Sequence, residues 1–155
     1  MVSEPPLPVP DDAGQVHGPS LTLDEAVPLL HGHVERLARD EGVRVLFIKG
    51  PVVAAQGLRV PRTYVDVDVL VDPAAMRPMR DALEQAGWRA PVADTTAHIV
   101  PQHSATYAHE VWPCTIDVHD RFPGFLADPQ DVFEALWARR TTANVAGLEV
   151  PCCDV

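Results

Sequence analysis

Residues 61–73, PRTYVDVDVLVDP, constrain the fold more tightly than any other stretch of the chain. From Tyr64 to Val71 the residues alternate. Val65, Val67, Val69 and Val71 fall on one side, and Tyr64, Asp66, Asp68 and Leu70 on the other, which is the period of a β-strand. The valine side is an ordinary core face. The other side is in conflict with itself: Leu70 is out of place if the face is wet, and Asp66 and Asp68 are expensive if it is dry. Something must stand near the two acids to compensate them.

The flanking sequence supplies the layers such a strand needs. Residues 1–19 hold five prolines and few large apolar side chains, so a disordered leader is expected there, with one domain over 20–155. SLTLDEAVPLLHGHVERLARDEG (20–42) spaces its apolar residues as a helix, with Thr22 and Glu25 as a capping box and Gly42 as the stop. Pro28 and Gly32 predict a late start or a bend. VRVLFI (43–48) reads as a strand buried on both faces, and Gly50-Pro51 as the cap and first position of a helix over PVVAAQGL.

Asp72-Pro73 opens another helix, ending at Gly87. Residues 88–119 contain short β-like pieces, HIV (98–100), SATYAH (104–109) and CTIDVH (114–119), expected to run antiparallel. DPQDVFEALWARR (128–140) is a capped amphipathic helix, and TANVAGLEVP a hairpin turning near Ala146-Gly147. The order predicts an α/β or α+β domain with a small mixed sheet flanked by helices.

Length fits one domain: 155 residues. There is no signal-peptide pattern, and the three cysteines are too few for a disulfide framework, so a reducing cytoplasmic setting is expected. A net charge of −10 excludes general attraction to nucleic acid or to an anionic membrane. A polyanionic ligand would need metal ions or a local basic cluster. Eleven of the twelve basic residues are arginine; Lys49, at the end of VLFIKG, is the sole lysine.

Residues i and i+2 of a strand point the same way, about 6–7 Å apart. Asp66 and Asp68 are therefore placed to share a hard divalent cation or to bridge a pair of them, and two such ions can clamp the attacking and leaving oxygens of a phosphoryl or nucleotidyl displacement. Asp117, between Ile116 and Val118, offers a third acid on a second strand, with His119 on its face. The D-x-D pattern also occurs on merely solvated strands. Lys49-Gly50-Pro51, at a strand-to-helix junction, is a turn at which backbone amides and an ammonium can approach phosphate, or simply a tight cap beside a surface charge.

Taken together, LFIKGPVVAAQGL, PRTYVDVDVLVDP, DALEQAGW and TIDVHDRF resemble the uncharacterised bacterial nucleotidyltransferase family of the DNA-polymerase-beta-like superfamily, over residues 43 to about 140. The resemblance implies a nucleotidyltransferase moving an NMP group from an NTP to an acceptor hydroxyl, with release of pyrophosphate. It implies Mg²⁺, or Mn²⁺ in its place, held by Asp66, Asp68 and Asp117. Asp117 would stand where the acceptor hydroxyl is activated, Lys49, Gly50 and Arg62 would lie by the nucleotide, and His119 matches a family histidine of unassigned role. The chain departs from the wider superfamily in having Lys-Gly-Pro where many relatives have Gly-Ser. It also ends at VPCCDV where the family continues into a helical region, so a partner chain or domain supplying the acceptor site is an expectation.

The acidic balance favours a small-molecule or protein acceptor over a long nucleic acid. A second reading is a catalytically degenerate nucleotide- and metal-binding module with a regulatory role. A glycosyltransferase would need more chain. The seven histidines and three cysteines lack zinc-ligand spacing. Trp88, Trp112 and Trp137 are expected as core anchors, with Trp112 or Tyr107 as candidates for stacking on a base.

Overall fold

The computed structural model describes residues 21–90, 104–122 and 124–154. The expected leader at 1–19 and the HIV segment lie outside the described residues, apart from which the expected order of elements is observed. Helix α1 (Leu23–Asp40) is followed by β1 (Val45–Phe47), α2 (Pro51–Ala55) and β2 (Asp66–Val71). A 3-10 turn at Pro73–Ala75 leads into α3 (Met76–Gln85). Then come β3 (Ser104–Tyr107), β4 (Thr115–His119), α4 (Pro129–Ala138), β5 (Thr141–Val145) and β6 (Leu148–Cys152). The strands form one mixed sheet in the order β3-β4-β2-β1-β6-β5. β2 runs parallel to β4 and β1 parallel to β6, and the remaining pairs are antiparallel.

The two faces of the sheet are covered unequally. On one, Val67, Val69 and Val71 join Phe47, Ile116, Val118 and Val150 beneath α1 and α3, which contribute Leu30, Val34, Met79 and Leu83. On the other, among the described residues, a smaller apolar cluster of Leu46, Ile48 and Leu70 is sealed by Phe133 of α4. That is how Leu70 can share a face with Asp66 and Asp68: α4 covers the end of β2 that holds the leucine.

Three local expectations need correction. Helix α1 neither starts late nor breaks at Pro28. Ala26, Val27, Leu30 and Val34 are all buried against the sheet, and their burial outweighs the one backbone hydrogen bond that proline removes. Thr22 N–H and Oγ1 both donate to Glu25 Oε2, at 2.9 and 2.7 Å, so the start is capped as expected. Gly32 serves packing, because a Cβ there would lie 2.4 Å from Leu148 Cδ1. Strand β2 begins at Asp66 and not Tyr64, since β4 starts at Thr115, directly opposite Asp66, and Val65 is left exposed. Helix α2 ends at Ala55, earlier than expected.

The β5–β6 hairpin turns at Ala146 and Gly147, with φ of 51° and 85°. Two left-handed residues match the twist of the strands, but alanine resists that region. Ala146→Asn, which supplies the preferred first residue of this turn, is expected to raise the unfolding free energy by about 0.5–1 kcal/mol in urea denaturation. No gain would mean that the hairpin tolerates Ala146 without strain.

Candidate active site

The part of the sheet that α4 leaves uncovered gathers the predicted acids. The β2–β4 register pairs Asp66 with Thr115, Asp68 with Asp117 and Leu70 with His119, so these side chains share one face. β3 adds Thr106, paired with Asp117, and Ser104, paired with His119. Donor atoms of Asp68, Asp117 and His119 all lie within 4.8 Å of one another, the one such group of His, Cys, Asp or Glu among the described residues. Asp66 stands outside that trio, at the start of β2, half-buried.

Asp68 is the centre of the cluster. Its side chain is 7% exposed, and its Oδ1 accepts from His119 Nε2 at 2.9 Å and from Lys49 Nζ at 2.6 Å. Burial pushes the Asp68 carboxyl upward, but the hydrogen bonds and charges of His119 and Lys49 outweigh it and hold the group below the usual carboxylate range. Asp66 moves the other way: burial raises it, the charges of Asp68 and Asp117 raise it further, and Lys49 offsets only part of this. Asp117 Oδ1 accepts from Thr106 Oγ1 at 2.7 Å.

The Lys-Gly-Pro turn borders this cluster. Ile48 N–H still donates to Asp68 carbonyl oxygen at 3.2 Å, after which the chain leaves the sheet and Lys49 reaches the carboxylate. Gly50 takes φ 67° and ψ −136°, a backbone state that residues with a Cβ avoid, and Pro51 opens α2. Arg62 lies on the approach to β2, its guanidinium 5.5 Å from the centre of the Tyr64 ring; no contact ties it to the acids.

Sequence reasoning missed the Lys49–Asp68 ion pair, the bond from His119 to Asp68, and Thr106. The solitary lysine was the only signal for the first. Tyr107 pairs with Ile116, so parity points it into the α1/α3 core, and Trp112, on the loop between β3 and β4, packs against that core beside His33 and Trp88, as a core anchor would. Neither can stack on a base held at the carboxylates. Two of the histidines weighed for zinc are engaged elsewhere: His31 is fully buried, donating through Nδ1 to the Val27 carbonyl, and His33 Nε2 accepts from Trp88 Nε1 at 3.4 Å. Cys114 is a buried core residue.

The residues fit a divalent ion. Asp66, Asp68 and Asp117 bring three carboxylates against the single ammonium of Lys49, and burial together with the neighbouring acids raises Asp66, a penalty that a dication would relieve. Their oxygens suit Mg²⁺, and the imidazole of His119 beside them suits Mn²⁺ as well. No helix among the described residues is long and apolar enough to cross a membrane.

Residues 30–154 match the sequence profile of a family described as uncharacterised nucleotidyltransferase. No curated protein matches the chain at a significant level. Among solved structures, a lincosamide antibiotic adenylyltransferase with lincomycin bound shares 17% identity at a TM-score of 0.56, with 82% of this chain and 78% of that one covered. ANT(2″)-Ia in complex with adenylyl-2″-tobramycin shares 16% at 0.57, covering 82% and 68%. A Thermotoga maritima protein solved as a candidate nucleotidyltransferase shares 16% at 0.58, covering 90% and 83%. At these identities the likeness is one of fold.

Proposed function

The chain belongs to the uncharacterised nucleotidyltransferase family, and from that premise we propose that it transfers an NMP group from a nucleoside triphosphate to the hydroxyl of a small-molecule acceptor, releasing pyrophosphate. The observation that carries the proposal is the meeting of Asp68, Asp117 and His119 on one open sheet face, with Asp66 beside them and the Lys49-Gly50 turn at their border.

Asp66, Asp68 and Asp117 would hold Mg²⁺ or Mn²⁺. When bound, such an ion neutralises charge on the transferring phosphoryl group and on the leaving pyrophosphate. The chain's own residues do the positioning. Lys49 and the turn at Gly50 face the phosphates, and Arg62 steadies the nucleotide from the approach to β2. Asp117, oriented by Thr106, takes the proton of the acceptor hydroxyl as its oxygen bonds to the α-phosphorus and the bond to pyrophosphate breaks. His119 orients Asp68. The rate would come mainly from placement and charge compensation.

The small-molecule acceptor class is supported by the neighbours of like fold that carry lincomycin and adenylylated tobramycin, and by the net charge of −10, which disfavours a long nucleic acid. We further propose that residues 20–155 act as one domain in the cytoplasm, and that a further chain or domain completes the acceptor side. A degenerate binding module remains the second reading, because the same cluster could bind nucleotide without turning it over.

Two measurements test this. Mg²⁺-dependent binding of ATP and GTP is expected to fall at least tenfold in Asp68→Asn, since the substitution removes the central charge of the cluster; equal binding in both proteins would sink the metal role. Labelled NTPs incubated with a panel of hydroxylated metabolites should release pyrophosphate. Binding without release across the panel would favour the degenerate module.

A further inference from the structure

Asp68 Oδ1 is shared by two donors of different character. His119 is built in: its side chain is 6% exposed and it stands on the neighbouring strand, so its bond to Asp68 is a fixed part of the sheet. Lys49 reaches in from the turn with a side chain 52% exposed, on a flexible four-carbon stem. An ammonium 2.6 Å from that oxygen and a divalent ion on the same carboxylate would be like charges a few ångströms apart.

We propose that Lys49 is a resident cation that competes with the divalent ion for Asp68 and gives way when nucleotide phosphates arrive to receive it. The inference rests on the metal-binding role proposed above for Asp68 and adds an order to it: metal enters together with nucleotide rather than ahead of it. The charge balance favours this. With Lys49 in place Asp68 Oδ1 already has an ammonium and an imidazole as donors, whereas phosphates offer the ammonium several oxygens in exchange for one. The single lysine of an arginine-rich chain stands where a compact ammonium can change partners and a planar guanidinium would tend to stay clamped.

The two effects of Lys49 have opposite signs, which makes the inference separable. Titrate the full chain with Mn²⁺ alone, following free Mn²⁺ by electron paramagnetic resonance, and then with Mn²⁺ plus α,β-methylene-ATP, for wild type, Lys49→Met, Lys49→Arg and Asp68→Asn. Lys49→Met is expected to bind Mn²⁺ alone about tenfold tighter than wild type or more, and the Mn²⁺-nucleotide complex about tenfold weaker. Lys49→Arg should keep the weak affinity for Mn²⁺ alone, because it keeps the competing charge. Asp68→Asn should lose both affinities. Unchanged or weaker Mn²⁺ binding in Lys49→Met, with binding lost in Asp68→Asn, would overturn the competition and leave the metal site standing. Wild-type Mn²⁺ binding in Asp68→Asn would overturn the metal site and this inference with it. Exposure of the Lys49 side chain makes its variants foldable, and matching thermal midpoints without ligand would establish that.

Discussion

Asp117→Asn is expected to lower kcat by about 10²–10⁴ while the protein still binds nucleotide, the size of effect produced when a positioned general base is removed. The expectation follows from its surroundings. Asp117 stands directly across from Asp68 in the β2–β4 ladder, and Thr106 Oγ1 donates to its Oδ1 at 2.7 Å, while no hydrogen bond from a described residue occupies Oδ2, the oxygen proposed to meet the acceptor hydroxyl. Asparagine keeps the shape and can keep the bond from Thr106, but it cannot take a proton. Because Asp117 also belongs to the charged cluster, some loss of nucleotide affinity should accompany the loss of turnover. Single-turnover rates at saturating nucleotide separate the two. A rate within about threefold of wild type would remove Asp117 from the chemistry.

The acids could be read in the sequence because side-chain parity is a local property. Once YVDVDVLV alternates and TIDVH alternates, Asp66 and Asp68 must share a face, as must Asp117 and His119, whatever the rest of the chain does. Parallel pairing of β2 with β4 then needs only to bring the two polar faces to the same side, and the burial of Val67, Val69, Ile116 and Val118 enforces this. Register is a different matter. That Asp68 falls opposite Asp117, and Leu70 opposite His119, depends on contacts about fifty residues apart in sequence, and no local pattern encodes it.

The same distinction explains the errors. SATY alternates small and polar residues so weakly that its parity could not be chosen from sequence, and the core took Tyr107. Pro28 has a strong local preference, yet the buried stripe of α1 overrode it. The Lys49–Asp68 pair was hard to read for a third reason: strand parity would put Lys49 with Phe47, on the face away from Asp68, and the pair forms because the chain has left the sheet after Ile48.

Phe133→Ala is expected to cost about 3–5 kcal/mol of folding stability, by chemical denaturation, the range for deleting a buried aromatic ring. Phe133 is 1% exposed, and with Leu46, Ile48 and Leu70 it makes up the fully buried part of the cluster beneath α4. Its ring stacks on Trp137 at 5.9 Å, and the Arg44 guanidinium lies 5.2 Å over it. So small a cluster has few neighbours able to collapse into the gap. The polar seam around it, in which Arg44 holds Asp72 and Glu134, is part-exposed and screened, and cannot hold α4 alone. Phe125→Ala on the preceding loop, where the ring is 52% exposed, should change stability by no more than about 0.5 kcal/mol. A comparable small loss in Phe133→Ala would mean that α4 is not what seals this face. Docking of α4 bears on the site as well, because Leu70 lies two residues beyond Asp68 on the same side of β2. If the helix lifts, water reaches Leu70, and β2 loses its packing on the side that carries Asp68. Nucleotide affinity in Phe133→Ala should therefore fall at denaturant concentrations well below those that weaken binding in Phe125→Ala.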